Sequence, residues 1–321
     1  MNPPTTFLGI DIAKLTLDLS PHPKLSKLLF SNDAVGHKAL CSALKRIPGP
    51  IQIVCEATGG YEHFLLKALY QAQIPVSLMN PRRVRDMAKA KGILAKTDKL
   101  DATVLAEFGR LLQPDPTPQR SETSERLARL VGRRHELLEM ITRELRRAEH
   151  HHDAFVVKQA KKLAKTLDAH LAELEAEITA LEQSDAELTA KVARLSLVQG
   201  IGQRTAWTLL ATLPELGTLE PGQAASLAGV APFNCDSGPY KGQRHILHGR
   251  ALARSALYMA ALVAARCNPV LRPFYLRLRD HKKPAKVALV AVMRKLAELA
   301  NRLLGDPDFK LVQNPPKPLV A

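Results

Sequence analysis

Within the first 118 residues, short apolar runs alternate with segments of helical period. That alternation limits the possible folds more than any other feature of the chain. Phe7 to Ile12 is short and apolar, Thr16 to Ser20 alternates, and Leu28 to Phe30 is apolar before Ser31-Asn32-Asp33. Three such runs in succession predict a strand meander. A helical pattern follows over His37 to Ile47, then a buried-looking strand at Ile51 to Cys55, a helix from Tyr61 and a strand at Pro75 to Met79. Strands alternating with helices call for an α/β sheet covered on both faces. Pro114, Pro116 and Pro118 mark its boundary.

Residues 119–197 change period and read as long helices. Leu167, Leu171, Leu174, Ile178, Leu181, Leu188, Val192 and Leu195 form a heptad seam, while Glu173, Glu175, Glu177, Glu182 and Glu187 leave the other faces polar. The pattern favours a coiled coil over a helix packed on its own domain. Residues 198–321 read as mostly helical, with a Gly-rich irregular segment from Gly229 to Gly249 and an amphipathic helix over Val287 to Leu304. The expected organisation is an α/β domain over 1–118, a helical linker and coiled coil over 119–197, and a mainly α domain over 198–321.

Charge narrows the partners. The chain carries 46 Lys plus Arg against 31 Asp plus Glu, a formal +15. By region the net charge is +6 over residues 1–120, −1 over 121–198 and +10 over 199–321. The basic ends point to a polyanion, and the near-neutral helical middle to protein contact. Aromatics are only 4% of the chain, too few for recognition of single strands by rows of stacked rings. The longest apolar stretch, Ala256 to Ala265, is too short to span a bilayer and is followed by Arg266. With no secretory signal pattern at the start, a membrane surface drops out in favour of nucleic acid. Cys41, Cys55, Cys235 and Cys267 form no C-x-x-C pair. That indicates neither a zinc site nor a disulfide framework, and fits a reducing cytoplasm. His150-His151-His152 sit at consecutive positions that point different ways on a helix, so they suit a solvated break better than a shared ion.

Against this basic background four acids stand out. Asp11 ends an apolar run, and Glu56 directly follows the strand Ile51 to Cys55, the place where sites form in open α/β sheets. Asp98 and Asp101 stand three apart at the start of an amphipathic helix that continues through Val104, Leu105, Phe108 and Leu112. That spacing puts both on one face, at the helix end where negative charge is favoured. Singly, each acid is more simply a helix-terminus charge or a solvated strand end. Converging, four carboxylates need a counter-charge. Mg²⁺ supplies it, since hard cations prefer carboxylate oxygen and leave positions open for phosphate. The order of acids is the layout of ribonuclease H-like nucleases.

Gly9-Ile10-Asp11-Ile12-Ala13-Lys14, Glu56-Ala57-Thr58-Gly59-Gly60-Tyr61 and Lys96-Thr97-Asp98-Lys99-Leu100-Asp101-Ala102 resemble the three acidic motifs of the DEDD transposases of the insertion-sequence one-ten family. The resemblance covers nearly the whole chain in order. It implies a RuvC-like domain joined by a coiled coil to a C-terminal transposase domain. It also implies Mg²⁺, for which Mn²⁺ can substitute, held by Asp11, Glu56, Asp98 and Asp101.

The last region adds two further motifs. Gln199-Gly200-Ile201-Gly202-Gln203-Arg204 reads as a helix-hairpin-helix turn, with Gly200, Gly202 and Arg204 placed to meet a phosphate. A tight helical hairpin with no ligand explains the spacing as well. The family usually has Pro where Gln199 stands. Asp236-Ser237-Gly238 lies in a basic loop, and most Ser-Gly pairs are simply turns. The resemblance nevertheless implies that Ser237 is the nucleophile that joins covalently to DNA; Pro239, Tyr240, His245 and His248 nearby depart from the family pattern. Lys96, Lys241, Arg244, Arg250 and Arg254 would neutralise phosphate, or else form a solvated basic surface.

Together these imply a DNA transposase or recombinase acting through a phosphoserine linkage, which keeps the bond energy and needs no ATP. The resemblance further implies a bridge non-coding RNA that pairs with donor and target double-stranded DNA. It also implies a homo-oligomer, a dimer assembling to a tetramer, with Ser237 and the acids in a composite site. The alternatives are a metal-dependent nuclease of the Holliday-junction-resolving type, a non-catalytic scaffold, and, within the family, a DNA invertase.

Overall fold

The computed structural model describes residues 5–93, 98–233, 236–237, 240–242 and 244–311. The chain divides into two compact units, Met1–Gln119 and Arg120–Ala321.

The first unit is built on a five-stranded mixed sheet. Strands β1 (Thr6–Ile12), β2 (Thr16–Leu19) and β3 (Leu29–Ser31) form the expected meander, and β4 (Ile51–Glu56) and β5 (Val76–Met79) add in parallel beside β1, giving the order β3-β2-β1-β4-β5. Period-two alternation sorts each strand between two layers. Leu8, Ile10, Ile12, Ile53, Cys55 and Val76 share one core, which helices α1 (Ala34–Leu44) and α2 (His63–Gln71) cover with Leu40, Leu44, Leu65 and Leu69. Val54 faces the other way and packs with Val84 of α3 (Pro81–Ala90) and with Val104, Leu105 and Phe108 of α4 (Asp98–Leu112).

The sequence reading omits α3. Its segment, Pro81-Arg82-Arg83-Val84-Arg85-Asp86, hides two buried positions, Val84 and Ala88, among charges. The start signals are present nonetheless: Pro81 sits at the first helical position and Asn80 accepts from the Arg82 N–H. The proline-rich boundary is a strap rather than a loose linker. Thr117 N–H donates to Val76 O at 2.8 Å, Leu78 N–H donates to Thr117 Oγ1 at 2.9 Å, and the buried Gln52 donates to Pro114 O.

The second unit is helical. Helices α5 (Glu122–His150) and α6 (Ala154–Ser184) pack as an antiparallel hairpin, pinned by Arg134 Nε donating to Glu175 Oε1 at 2.8 Å. The heptad seam does not continue unbroken. Asp185 ends α6 and caps α7 (Ala186–Ser196), accepting from the Leu188 N–H. Beyond that break Leu188, Val192 and Leu195 join Ile178 and Leu181 in this unit's own core. A seam that looks continuous in sequence is cut by a residue that competes for the backbone N–H groups.

That core continues through α8 (Gln203–Thr212), α9 (Gln223–Leu227), α10 (Ala251–Cys267), α11 (Leu271–Asp280) and α12 (Ala285–Gly305). Buried alanines on α10 let it pack closely on α8 and α12. The buried Glu182 carboxylate is satisfied by Trp207 Nε1 at 2.6 Å and Gln203 Nε2 at 3.0 Å.

The Gly-rich segment expected to be irregular contains strand structure. Strand β6 (Pro232–Phe233) pairs with β9 (His245–Ile246), and inside them β7 (Asp236–Ser237) pairs with β8 (Tyr240–Lys241), all antiparallel. The two nested pairs make a short β-hairpin arm. Two-residue strands carry too little alternation to be read from sequence. Among the described residues no helix is long and apolar enough to cross a membrane.

Candidate active site

Gly9 is the position on which the first unit's acids depend. A Cβ at Gly9 would stand 1.9 Å from Ala102 O and 2.6 Å from Ala106 N, so only glycine lets α4 lie directly on β1. Further back along the pair, Gly109 of α4 meets Phe7 of β1. The helix therefore runs opposite to the strand: Phe7 faces Gly109, and Gly9 faces the turn from Ala102 to Ala106. By the same progression the first turn of α4, with Asp98 and Asp101, comes level with Asp11.

Strand register fixes the rest. Gly9 is opposite Val54 and Ile10 opposite Cys55 on the parallel neighbour, so Asp11 and Glu56 follow side by side. Neighbouring strands lie about 4.8 Å apart, and residues in register share a face. Both acids thus sit at the carboxyl ends of adjacent strands, on the face that α4 covers. Both are half-buried, as is Asp101.

A third strand contributes an acid that the sequence reading missed. Asp18 of β2 stands directly opposite Asp11 across the antiparallel pair. Like charges directly opposite one another are destabilising unless something lies between them. The signal was available, since folding the first two predicted strands into a hairpin aligns them.

The loop after Glu56 is fastened by a residue outside the quoted motif. Glu62 Oε2 accepts from Thr58 Oγ1 at 2.7 Å, from Gly60 N at 2.8 Å and from Thr58 N at 3.2 Å. Burial alone would push the Glu62 carboxyl up. These hydrogen bonds outweigh it and hold the group below its ordinary value. Thr58 and Gly60 thereby serve to position the strand end that carries Glu56. Behind them the Cys55 thiol is fully buried and pushed up to about 12 by that burial, with the Glu62 and Glu56 charges adding to it. It is an inert core group.

Among the described residues no three His, Cys, Asp or Glu side chains form a metal-binding group. The side chain of Asp98 lies outside them. The donor set nonetheless suits a hard divalent cation: carboxylate oxygens, on the ends of two parallel strands, beneath a helix start that brings Asp101.

In the second unit Ser237 pairs with Tyr240, and Asp236 with Lys241, at the inner rung of the β-hairpin arm. The side chains of Ser237 and Lys241 lie outside the described residues, as does Lys96 entirely. Arg244 is exposed on the arm. Arg250 and Arg254 serve its base. Arg250 makes a two-pronged pair with Glu215, both bonds 2.6 Å, and donates to Thr212 O; Arg254 donates to His248 O. Burial would raise the Glu215 carboxyl, but the Arg250 hydrogen bonds and charge hold it below its ordinary value.

Gly200 has φ +116° and lies against α10, where a Cβ would meet Ala260 O at 2.8 Å. Its role in the turn is close packing. Gly202 opens α8 with no side-chain cap and open space around it. Arg204 reaches back to Glu175 at 2.5 Å, sharing that carboxylate with Arg134.

Comparison with known proteins bears on the family. Residues 8–157 match a family model described as a DEDD transposase, and residues 192–276 match one described as the transposase IS116/IS110/IS902 family. The chain is 28% identical over 304 residues to the pilin gene-inverting proteins of Moraxella lacunata and Moraxella bovis, covering 92% of this chain and 94% of theirs. It is 30% identical over 158 residues to an uncharacterized 43.6 kDa protein of insertion element IS110 in Streptomyces coelicolor, covering 45% of this chain and 38% of that one. The two models matched in order along it, with the Moraxella relatives over most of its length, show that the chain belongs to the IS110 family of DEDD transposases, enzymes that recombine DNA.

Proposed function

We propose that the chain cuts and rejoins DNA by transesterification through Ser237, assisted by metal held on Asp11, Glu56, Asp98 and Asp101. The observation that carries this reading is the register of β1 and β4, which sets Asp11 and Glu56 side by side where a phosphate could approach. These carboxylates would hold Mg²⁺ or Mn²⁺, which supplies positive charge beside the phosphate. Ser237 Oγ attacks the phosphorus and forms a new P–O bond. The bond to the departing strand breaks, its oxygen takes up a proton from solvent to leave as a free hydroxyl, and the serine proton is lost to solvent. The reverse attack by a strand hydroxyl then rejoins DNA and releases the serine.

The division of labour runs with the chain: residues 1–118 bind metal, 119–197 connect and associate subunits, and 198–321 supply the serine. Acids and serine belong to different compact units. A composite site, with the acids of one subunit meeting the serine of another in a dimer or tetramer, suits that separation. A bridge RNA would choose donor and target sequences in the cytoplasm, consistent with a chain that carries no recognition-helix motif of its own. The Moraxella relatives, named for inverting a pilin gene, favour inversion of a DNA segment as a second reading of the same chemistry.

Two substitutions test it. Asp11→Asn should lower strand cleavage by ~100-fold or more, the scale of losing one transition-state charge stabiliser. Ser237→Ala should abolish the protein–DNA adduct that survives denaturing electrophoresis. Cleavage retained by Ser237→Ala would mean that water attacks, as in a resolvase-type nuclease.

A further inference from the structure

Four large apolar side chains are left exposed at the acid end of the first unit: Leu15 at 74%, Val35 at 77%, Tyr61 at 49% and Phe64 at 69%. They come from three separate elements, the β1–β2 turn, the start of α1 and the approach to α2. One residue holds these elements together. Asn32 Nδ2 donates to Ala13 O at 2.9 Å and to Tyr61 O at 3.2 Å, and Asn32 N–H donates to Leu15 O. Its Oδ1 therefore accepts, and the His37 ring donates to it from Nε2 at 2.8 Å. The rim is thus tied by four hydrogen bonds on a single side chain and its backbone, and its apolar groups point to solvent by construction.

Cations line a groove that leads away from the rim. A groove of about 570 Å³ between α1 and α2 is lined by Phe64 together with Lys38, Lys45 and Lys67. None of these lysines forms an ion pair among the described residues. The acid on this edge, Asp33, is already engaged in capping α1 through the Gly36 N–H at 2.7 Å. Apolar rings bordered by unpaired lysines match a strand with bases and phosphates, since every base has a face to stack and every phosphate a charge to meet. A paired duplex buries its base faces and could use only the lysines.

We propose that this rim receives unpaired nucleotides of the DNA strand being cut, with Phe64 and Tyr61 stacking on bases that have left the duplex at the acid end of the sheet, across its edge from the face that carries the acids. This rests on the metal-binding role proposed above for Asp11 and Glu56, on the same end of the sheet. Two rings are enough for one or two nucleotides, so the chain's low aromatic content is no obstacle. The arrangement lowers the cost of opening the duplex at the cut, because each unstacked base exchanges a neighbouring base for a ring.

The chain's single tryptophan, Trp207, is buried in the other unit, which makes Phe64→Trp a clean reporter in the full-length protein. Its added emission should fall saturably on titration with a short single-stranded DNA of mixed sequence, and much less with the duplex of that sequence. Phe64→Ala should weaken single-strand binding about tenfold, the size of one lost base–ring stack, with an unchanged melting temperature because the ring is exposed. Equal quenching by duplex and single strand, no quenching by either, or quenching by the matching RNA but not by DNA would each overturn the proposal. So would unchanged DNA binding by Phe64→Ala combined with a loss of self-association, which would make the rim a contact between copies. Asp11→Asn separates the two readings. If it still cuts DNA while the Phe64→Trp signal still falls with single strand, the acid assignment fails and the rim stands.

Discussion

In the first unit, Asp11 and Glu56 end neighbouring parallel strands that are clamped between two helical layers. In the second, Ser237 stands on a two-residue strand near the tip of a hairpin arm whose base is held by Arg250 and Arg254. The difference matches the demands of the two roles proposed for them. Carboxylates that share a cation must keep fixed separations, and a sheet supplies them through register. A nucleophile that links to DNA, and is later released, can ride on a short strand pair within a loop region. Order around the acids comes from packed strands and helices, and order at the base of the strand pairs from a few charged hydrogen bonds.

The most direct way to break the comparison is to attack packing in the first unit. Gly9→Ala drives a Cβ into Ala102 O and Ala106 N, both backbone atoms that cannot turn aside. The helix must lift off the strand. We expect a loss of ~3 kcal/mol or more of stability, at the upper end for overpacking, together with the loss of DNA cleavage. Gly202→Ala in the second unit provides the contrast. Its surroundings are open and its φ of −88° suits any residue, so thermal unfolding should change by less than ~0.5 kcal/mol. Equal effects from the two would refute the account of Gly9 as the contact that sets α4 over Asp11.

Attacking the hydrogen bonds of the second unit should do less. Arg250→Ala removes the two-pronged pair with Glu215 and the bond to Thr212 O. Bonds of this kind to charged groups are worth about 1.5–3 kcal/mol when sheltered. Both side chains here are about one-third exposed, so a loss near ~1–2 kcal/mol is expected in thermal or urea unfolding. Arg250→Lys should recover only part of it, since a single ammonium cannot engage both oxygens in the same fork. Full recovery would show that charge alone matters there, and that the arm's base does not depend on geometry.

Legibility in the sequence followed the same divide. The strands of the first unit could be read because each one is long enough to show alternation or a continuous apolar run, and the acids could be placed at strand ends for the same reason. How the strand-end acids lie relative to one another could not be read in full. It depends on the Gly9 contact and on Asp18 facing Asp11, both of which are consequences of register rather than of residue type. Helix α3 was missed because charged residues surround its two buried positions. In the second unit the helices were plain, but the heptad seam concealed the stop at Asp185. Arg204 and Arg250 read as phosphate contacts, since a carboxylate partner 29 or 35 residues away leaves no trace in local spacing.

Acid separates the two units most gently. His37 lies beneath the rim, and burial lowers its pKa from the ordinary 6.5 against the opposing pull of Asp33. The folded ring therefore stays neutral where the unfolded ring takes up a proton. Its contribution is complete above about 6.5 and shrinks as the pH falls through that value toward the folded pKa. Glu215 in the second unit is also held below its ordinary 4.5, so its contribution persists until the pH falls below that value. Between pH 7.5 and 5.5, then, hydrogen exchange corrected for intrinsic rates should quicken in α1, around residues 34–44, and stay level at the start of α10. His37→Gln, neutral throughout, should remove the change in α1. If α1 and α10 respond alike, or if the substitution leaves the response intact, the first unit's acid sensitivity does not lie in the Asn32–His37 tie.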